Sequence, residues 1–168
     1  MTRNLYQRGF SLLELVVVIT VVAVLAGVFL RTVPAWQARA EEAAMETVLG
    51  NLRSALNINV AAHIAKNETG KIAHLIRVNP MTNLADKPEN YVGIVTDSSN
   101  VDSRVWYYDN QSKELVYVVA NHEGFVGGEG NPPRVKFVIK PVYVASSRRG
   151  QLAGLKLVST RPYGWNFN

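Results

Sequence analysis

The sequence predicts an α+β protein in which one long N-terminal helix packs on an antiparallel sheet of about four strands. Three observations carry this. Phe10 to Leu30 is a run of 21 residues whose only ionisable side chain is Glu14. From Trp36 to Lys66, apolar residues recur at three- and four-residue steps, the spacing of one helix face. From Arg104 onward the period falls to two, in β-branched and aromatic runs.

The elements follow in order. Residues 1–9 carry Arg3 and Arg8 and no acid. The apolar run after them would span ~31 Å as a helix, the thickness of a bilayer hydrocarbon core. Its basic leading flank places the N-terminus in the cytoplasm. A cleaved secretory signal, with Ala38-Arg39-Ala40 as its small-x-small site, is the competing reading. The run is longer than the ~7–15 apolar residues of such signals, and the helical pattern continues beyond it.

In that continuation Met45, Val48, Leu49, Leu52, Leu56, Val60 and Ile64 form the apolar stripe, with Arg39, Glu41, Glu42, Glu46 and Arg53 between them. Pro34 would kink the helix or fill a first-turn position. Asn67 to Gly70 should end it. Lys71 to Asn100 reads as a connecting region with a short strand at Tyr91 to Val95. Arg104 to Asp109 and Glu114 to Val119, joined by Asn110-Gln-Ser-Lys113, form a hairpin. Arg134 to Lys140 alternates Val135, Phe137 and Ile139 with basic residues, and Leu155 to Val158 follows a basic turn, Ser146 to Gly150. The expected organisation is a leader (1–9), a transmembrane helix segment (10–30), the soluble half of that helix (31–69) and a head of loops and strands (70–168).

Composition narrows the function. Of the 168 residues 48% are apolar and only 18% charged, and the charge deficit sits in the apolar run, against a simple soluble enzyme. With no cysteine there is neither a disulfide framework nor a thiolate nucleophile. His63, His74 and His122 lack i,i+4 pairing and metal-type spacing with acids, so they are expected to face solvent or cap helices, and no metal is expected. Gly124 to Gly130 lacks the Lys-Ser/Thr ending of a phosphate loop and reads as a flexible loop. No Gly-x-Ser-x-Gly elbow or Ser/His/Asp set is visible. No cofactor and no catalytic residue is expected.

Gly9-Phe10-Ser11-Leu12-Leu13-Glu14-Leu15, after a short basic leader and before a spanning helix, resembles the type IV prepilin signal. Proteins with that signal include type IV pilins and the pseudopilins of type II secretion. The resemblance implies that a prepilin peptidase cuts between Gly9 and Phe10 and methylates Phe10, making Glu14 the fifth residue of the mature chain. It also implies a pilin-like fold, an inner-membrane location with the head in the periplasm, an inner-membrane assembly platform as partner, and copies of this chain or related pilins as neighbours in a filament. Asn79-Pro80-Met81 and the Trp106 to Tyr117 hairpin are similar to the heads of pseudopilins and of pilins of the mannose-sensitive haemagglutinin class. The chain lacks the paired cysteines of many major pilins, and no Asp or Glu follows Glu129 to make the calcium loop of the major pseudopilin. Those departures favour a minor subunit of either a pilus or a secretion pseudopilus.

Two features stand out within this frame. A carboxylate in hydrocarbon costs several kcal/mol without a partner, and the cation nearest Glu14 after cleavage is the ammonium of Phe10, its own or, by the resemblance, that of an adjacent subunit. A carboxylate snorkelling at headgroup level is the plainer reading. The second feature is charge. Seven basic residues (Arg134, Lys136, Lys140, Arg148, Arg149, Lys156 and Arg161) and no acid lie between Gly130 and Asn168, whereas Asn67 to Glu129 holds nine acids and five bases. A nucleic-acid contact, complementary packing of neighbouring heads, and an ordinary solvated sheet face all fit that distribution. The alternative to a filament subunit is a single-pass anchored periplasmic binding module, with DNA as one candidate ligand.

Overall fold

Ser11 opens the first helix. Its hydroxyl accepts the backbone N–H of Glu14 at 3.2 Å, which satisfies one of the donors that every helix start leaves without a partner. From there α1 runs Leu12–Ala65 in the computed structural model, 54 residues that continue through Pro34. At 1.5 Å per residue the rod is ~81 Å long. The structure describes residues 10–143 and 152–167. The helix ends where Asn67 adopts a left-handed conformation (φ 58°), which lets the Glu68 N–H reach back to the His63 carbonyl at 2.8 Å.

The two halves of α1 meet different surroundings. Leu12 to Leu30 is exposed throughout. Ala38, Glu41, Met45, Leu49, Leu52, Leu56 and Val60 are buried at three- and four-residue steps, so one stripe of the second half faces the head. Burying a Leu fully stabilises by ~1.5–3 kcal/mol, and Leu49, Leu52 and Leu56 are each at most 2% exposed.

After α1 come a single turn, α2 (Thr69–Ile72), and two 3-10 turns, Ala73–Arg77 and Pro80–Asn83. The strands are β1 (Tyr91–Val95), β2 (Trp106–Asp109), β3 (Glu114–Val118), β4 (Phe125–Gly127), β5 (Arg134–Tyr143), β6 (Leu152–Ser159) and β7 (Tyr163–Trp165). Five form one sheet in the order β1-β2-β3-β5-β6, and β4 pairs with β7 in a second. The inner face of the large sheet lays Trp106, Tyr108, Leu115, Tyr117, Val135, Phe137, Ile139, Leu155 and Leu157 on the helix stripe. Trp106 sits at the centre, its ring 4.8 Å from Tyr117 and 5.8 Å from Phe137.

The α+β class and the helix-on-sheet arrangement agree with the sequence reading. The sheet itself differs in two ways. It has five strands, and β1 pairs in parallel with β2, so it is mixed where an antiparallel sheet of about four was expected. Residues 96–105 make the return and lay Val101 and Val105 over Tyr107, Val116 and Val118 on the outer face. For that reason β2 and β3 are buried almost continuously, and only β5 shows the alternation of a half-exposed strand.

The Gly124 to Gly130 segment, expected as a flexible loop, contains β4. Gly124 and Gly127 take φ of +70° and +94°, and a Cβ at either would strike the backbone carbonyl of Asn166 or Pro162 across the pair. Glycine here allows close strand approach.

Candidate functional site

The N-terminal segment is a bare apolar rod with one charge. Phe10 is 78% exposed, Gly9 lies outside the described residues, and the whole spanning window is 0% buried. Glu14 stands in the first turn of α1, where the partial positive charge of the helix start favours a carboxylate. Ser11 and Glu14 also have the spacing of a capping box, so the acid has a local reason for its place in addition to any partner outside the chain. At the far end of the run Arg31 and the 72% exposed Trp36 supply the cation and ring that settle at a membrane interface.

Beyond the rod, the sequence reading misplaced one carboxylate. Glu41 was grouped with the outward polar residues of α1, yet it is 5% exposed. Its Oε1 accepts the Tyr117 hydroxyl at 3.0 Å and the Ala120 N–H at 2.8 Å. Its Oε2 accepts the Asn121 N–H at 2.9 Å and Nδ2 at 2.6 Å. Four donors replace the water the carboxylate lost, which is what a buried anion requires. The Tyr117 phenol is pushed well above its ordinary value by burial, then by the adjacent Glu41 charge and hydrogen bond. This knot fastens the segment after β3 to the helix just above the membrane-facing rod. The chain end joins it, since Trp165 donates to the Asn121 carbonyl at 3.1 Å, Tyr163 donates to Glu46 at 2.8 Å and Arg39 lies 5.0 Å over the Phe167 ring. The signal was in the stripe, because Glu41 falls three residues after Ala38 and four before Met45 on the buried face.

The basic residues of the C-terminal region fall into two groups. Lys136 binds Glu129 at 2.6 Å and approaches Glu114 at 3.9 Å, and Arg161 reaches the other Glu129 oxygen at 2.8 Å. The hydrogen bond from Lys136 holds the Glu129 carboxyl below its usual range and raises Lys136 in turn. Arg134 donates to the Ser98 carbonyl at 3.0 Å, with its Nε buried and unpaired. These three cations are engaged within the head. Lys140 and Lys156 are different: they are exposed and stand directly opposite each other on β5 and β6. Arg148 and Arg149 lie outside the described residues.

A cleft of about 340 Å³ opens between α1 and the sheet, with Ala40, Ala44 and Val48 on one wall and Asn90, Arg104 and Trp106 on the other. Among the described residues no three His, Asp or Glu side chains gather into a metal-binding group. His63 instead contacts Glu68 at 3.2 Å at the end of α1.

Comparison with known proteins bears on the first of these regions. Residues 4–30 match the family model described as the prokaryotic N-terminal methylation motif, the prepilin signal of type IV pilins and pseudopilins. No curated protein and no solved structure matches the chain. The chain thus carries a pilin-type signal on a helix long and apolar enough to cross a membrane, followed by an α+β head.

Proposed function

We propose that this protein is a minor pilin or pseudopilin, inserted in the inner membrane, cut between Gly9 and Phe10 by a prepilin peptidase, N-methylated on Phe10, and polymerised through its N-terminal helix into a type IV pilus or a type II secretion pseudopilus. The observation that carries the reading is a coincidence of boundaries. The matched motif ends at residue 30, the helix is bare over the same stretch, and its first buried residue comes only at Ala38. A soluble helix would bury its apolar residues on its own head, whereas this one presents them all to lipid or to other copies.

In this reading the helix rods form the filament core and the sheets its outer surface, with Glu14 pairing with the Phe10 ammonium of a neighbour. Glu14→Gln tests it with little collateral change, since Gln keeps the capping-box geometry and removes only the charge. Leaving one member of such a buried pair uncompensated costs ~3–5 kcal/mol, repeated at each contact. The variant should be inserted and cleaved normally, while sheared filament fractions lose it. Normal incorporation would show that Glu14 only meets the headgroups.

A further inference from the structure

The register of the sheet assigns a lateral contact between copies of this chain, an inference that rests on the filament reading above. Ile94, Tyr108, Leu115, Phe137 and Ser159 form one continuous row across all five strands. Because β1 and β5 run in the same direction, Asp97 and Lys140 each lie three residues, ~10 Å, beyond that row on the same side. They sit at the same level at opposite ends of the sheet, and β1 and β6 are its two edge strands.

The two ends are complementary. At the β1 end Val92 and Ile94 are 54% and 63% exposed, and the loop that follows carries exposed Asp97 and Asp102. Asp97 is fixed there by accepting the Ser99 N–H at 2.9 Å. At the β6 end Val142 and Tyr143 are 43% and 57% exposed, beside the facing lysines 140 and 156. Like charges directly opposite on neighbouring strands are destabilising. Neither lysine pairs with an acid among the described residues. The anion that relieves them must come from outside the fold.

We propose that the acidic β1 end of one copy docks on the Lys140–Lys156 end of the next, apolar pair against apolar pair. Surfaces at opposite ends of one sheet make a heterologous contact, which propagates instead of closing into a dimer. That is the geometry a filament of one chain needs. Opposite charges at the rim would set partner register and suppress wrong pairings.

The chain has no cysteine, so cross-linking can be placed at will. Thr96→Cys in one full-length copy and Ala153→Cys in a differently tagged one, co-expressed in the membrane and treated with a short bismaleimide, should give a mixed adduct. Asp97→Lys with Asp102→Lys should cut its yield about tenfold, as like-charge juxtaposition at an interface does. Adding Lys140→Glu with Lys156→Glu to the other copy should restore it, which also shows that the reversed heads are folded. An Ala23→Cys pair in the span reports helix association separately. Span adducts without the Thr96–Ala153 adduct, or an edge adduct indifferent to charge reversal, would overturn the edge contact and leave the filament reading standing. Loss of both adducts would overturn the two together. If Lys140→Glu with Lys156→Glu leaves the adduct unchanged but abolishes retention of the whole chain on a duplex DNA column, the basic end serves a nucleic acid and the proposal is wrong.

Discussion

Replacing Glu41 by alanine should loosen the joint between the helix and the head more than any other single exposed-to-apolar exchange on α1. The carboxylate accepts four hydrogen bonds, from Tyr117, the Ala120 N–H and two groups of Asn121. Each bond to a charged acceptor is worth ~1.5–3 kcal/mol, and a donor left buried without a partner costs ~1–3 kcal/mol. The contributions do not add, because Ala120 and Asn121 are only partly buried and can rehydrate. A net loss of ~3–5 kcal/mol follows. Glu41→Gln should come close to it: its amide nitrogen would face either the Asn121 donors or those of Tyr117 and Ala120, donor against donor. The assay is urea unfolding of the full chain in detergent micelles, followed by the fluorescence of Trp106, which is 1% exposed and stacked on Tyr117. With a slope of ~1–3 kcal/mol per molar urea, the midpoint should fall by ~2 M. A midpoint within ~0.3 M of the parent would mean that water replaces the knot without loss, and the reasoning from its buried bonds would be refuted.

A chain beginning at Trp36 should stay soluble and show mixed helix and strand by circular dichroism, because the stripe from Met45 to Val60 buries itself on the sheet without lipid; aggregation or a coil spectrum would count against it. Stability should also fall at alkaline pH. Tyr117 and Tyr163 are both raised in the folded protein, chiefly by burial and by their glutamate partners, so below the ordinary tyrosine value of about 10 both states hold the proton and nothing is lost. Above it the unfolded chain ionises first, and stability declines as pH climbs toward the folded value. Tyr117→Phe should flatten that decline, and an equally steep slope in the variant would assign the loss to other groups.

How much of this was legible in the residues depended on the distance over which each signal acts. The Gly9 to Leu15 motif, the span and the stripe from Met45 to Val60 are contiguous patterns, readable from spacing alone. The burial of Glu41 was not, since its partners lie 76 to 80 positions later and a carboxylate in a helix reads as outward. The parallel pairing of β1 with β2 escaped for the same reason: no tight turn fixes their register, and residues 96–105 cross the sheet without a helix to announce it. β4 and β7, three residues each, are shorter than any reliable period, and glycine in β4 looks like a loop until a neighbouring backbone explains it. The basic count in the C-terminal region was correct as sequence, but the isolated bridge of Glu129 with Arg134 brings an acid from the preceding segment among three of the cations. Charge along the chain and charge in space differ there.

The most direct measurement is the intact mass of the full chain extracted from membranes of cells that contain a prepilin peptidase. The account predicts a chain beginning at Phe10 and carrying one added methyl group, while Gly9→Val, which crowds the scissile carbonyl, retains Met1. A parent protein that still begins at Met1, or one cut near Ala40, would contradict it.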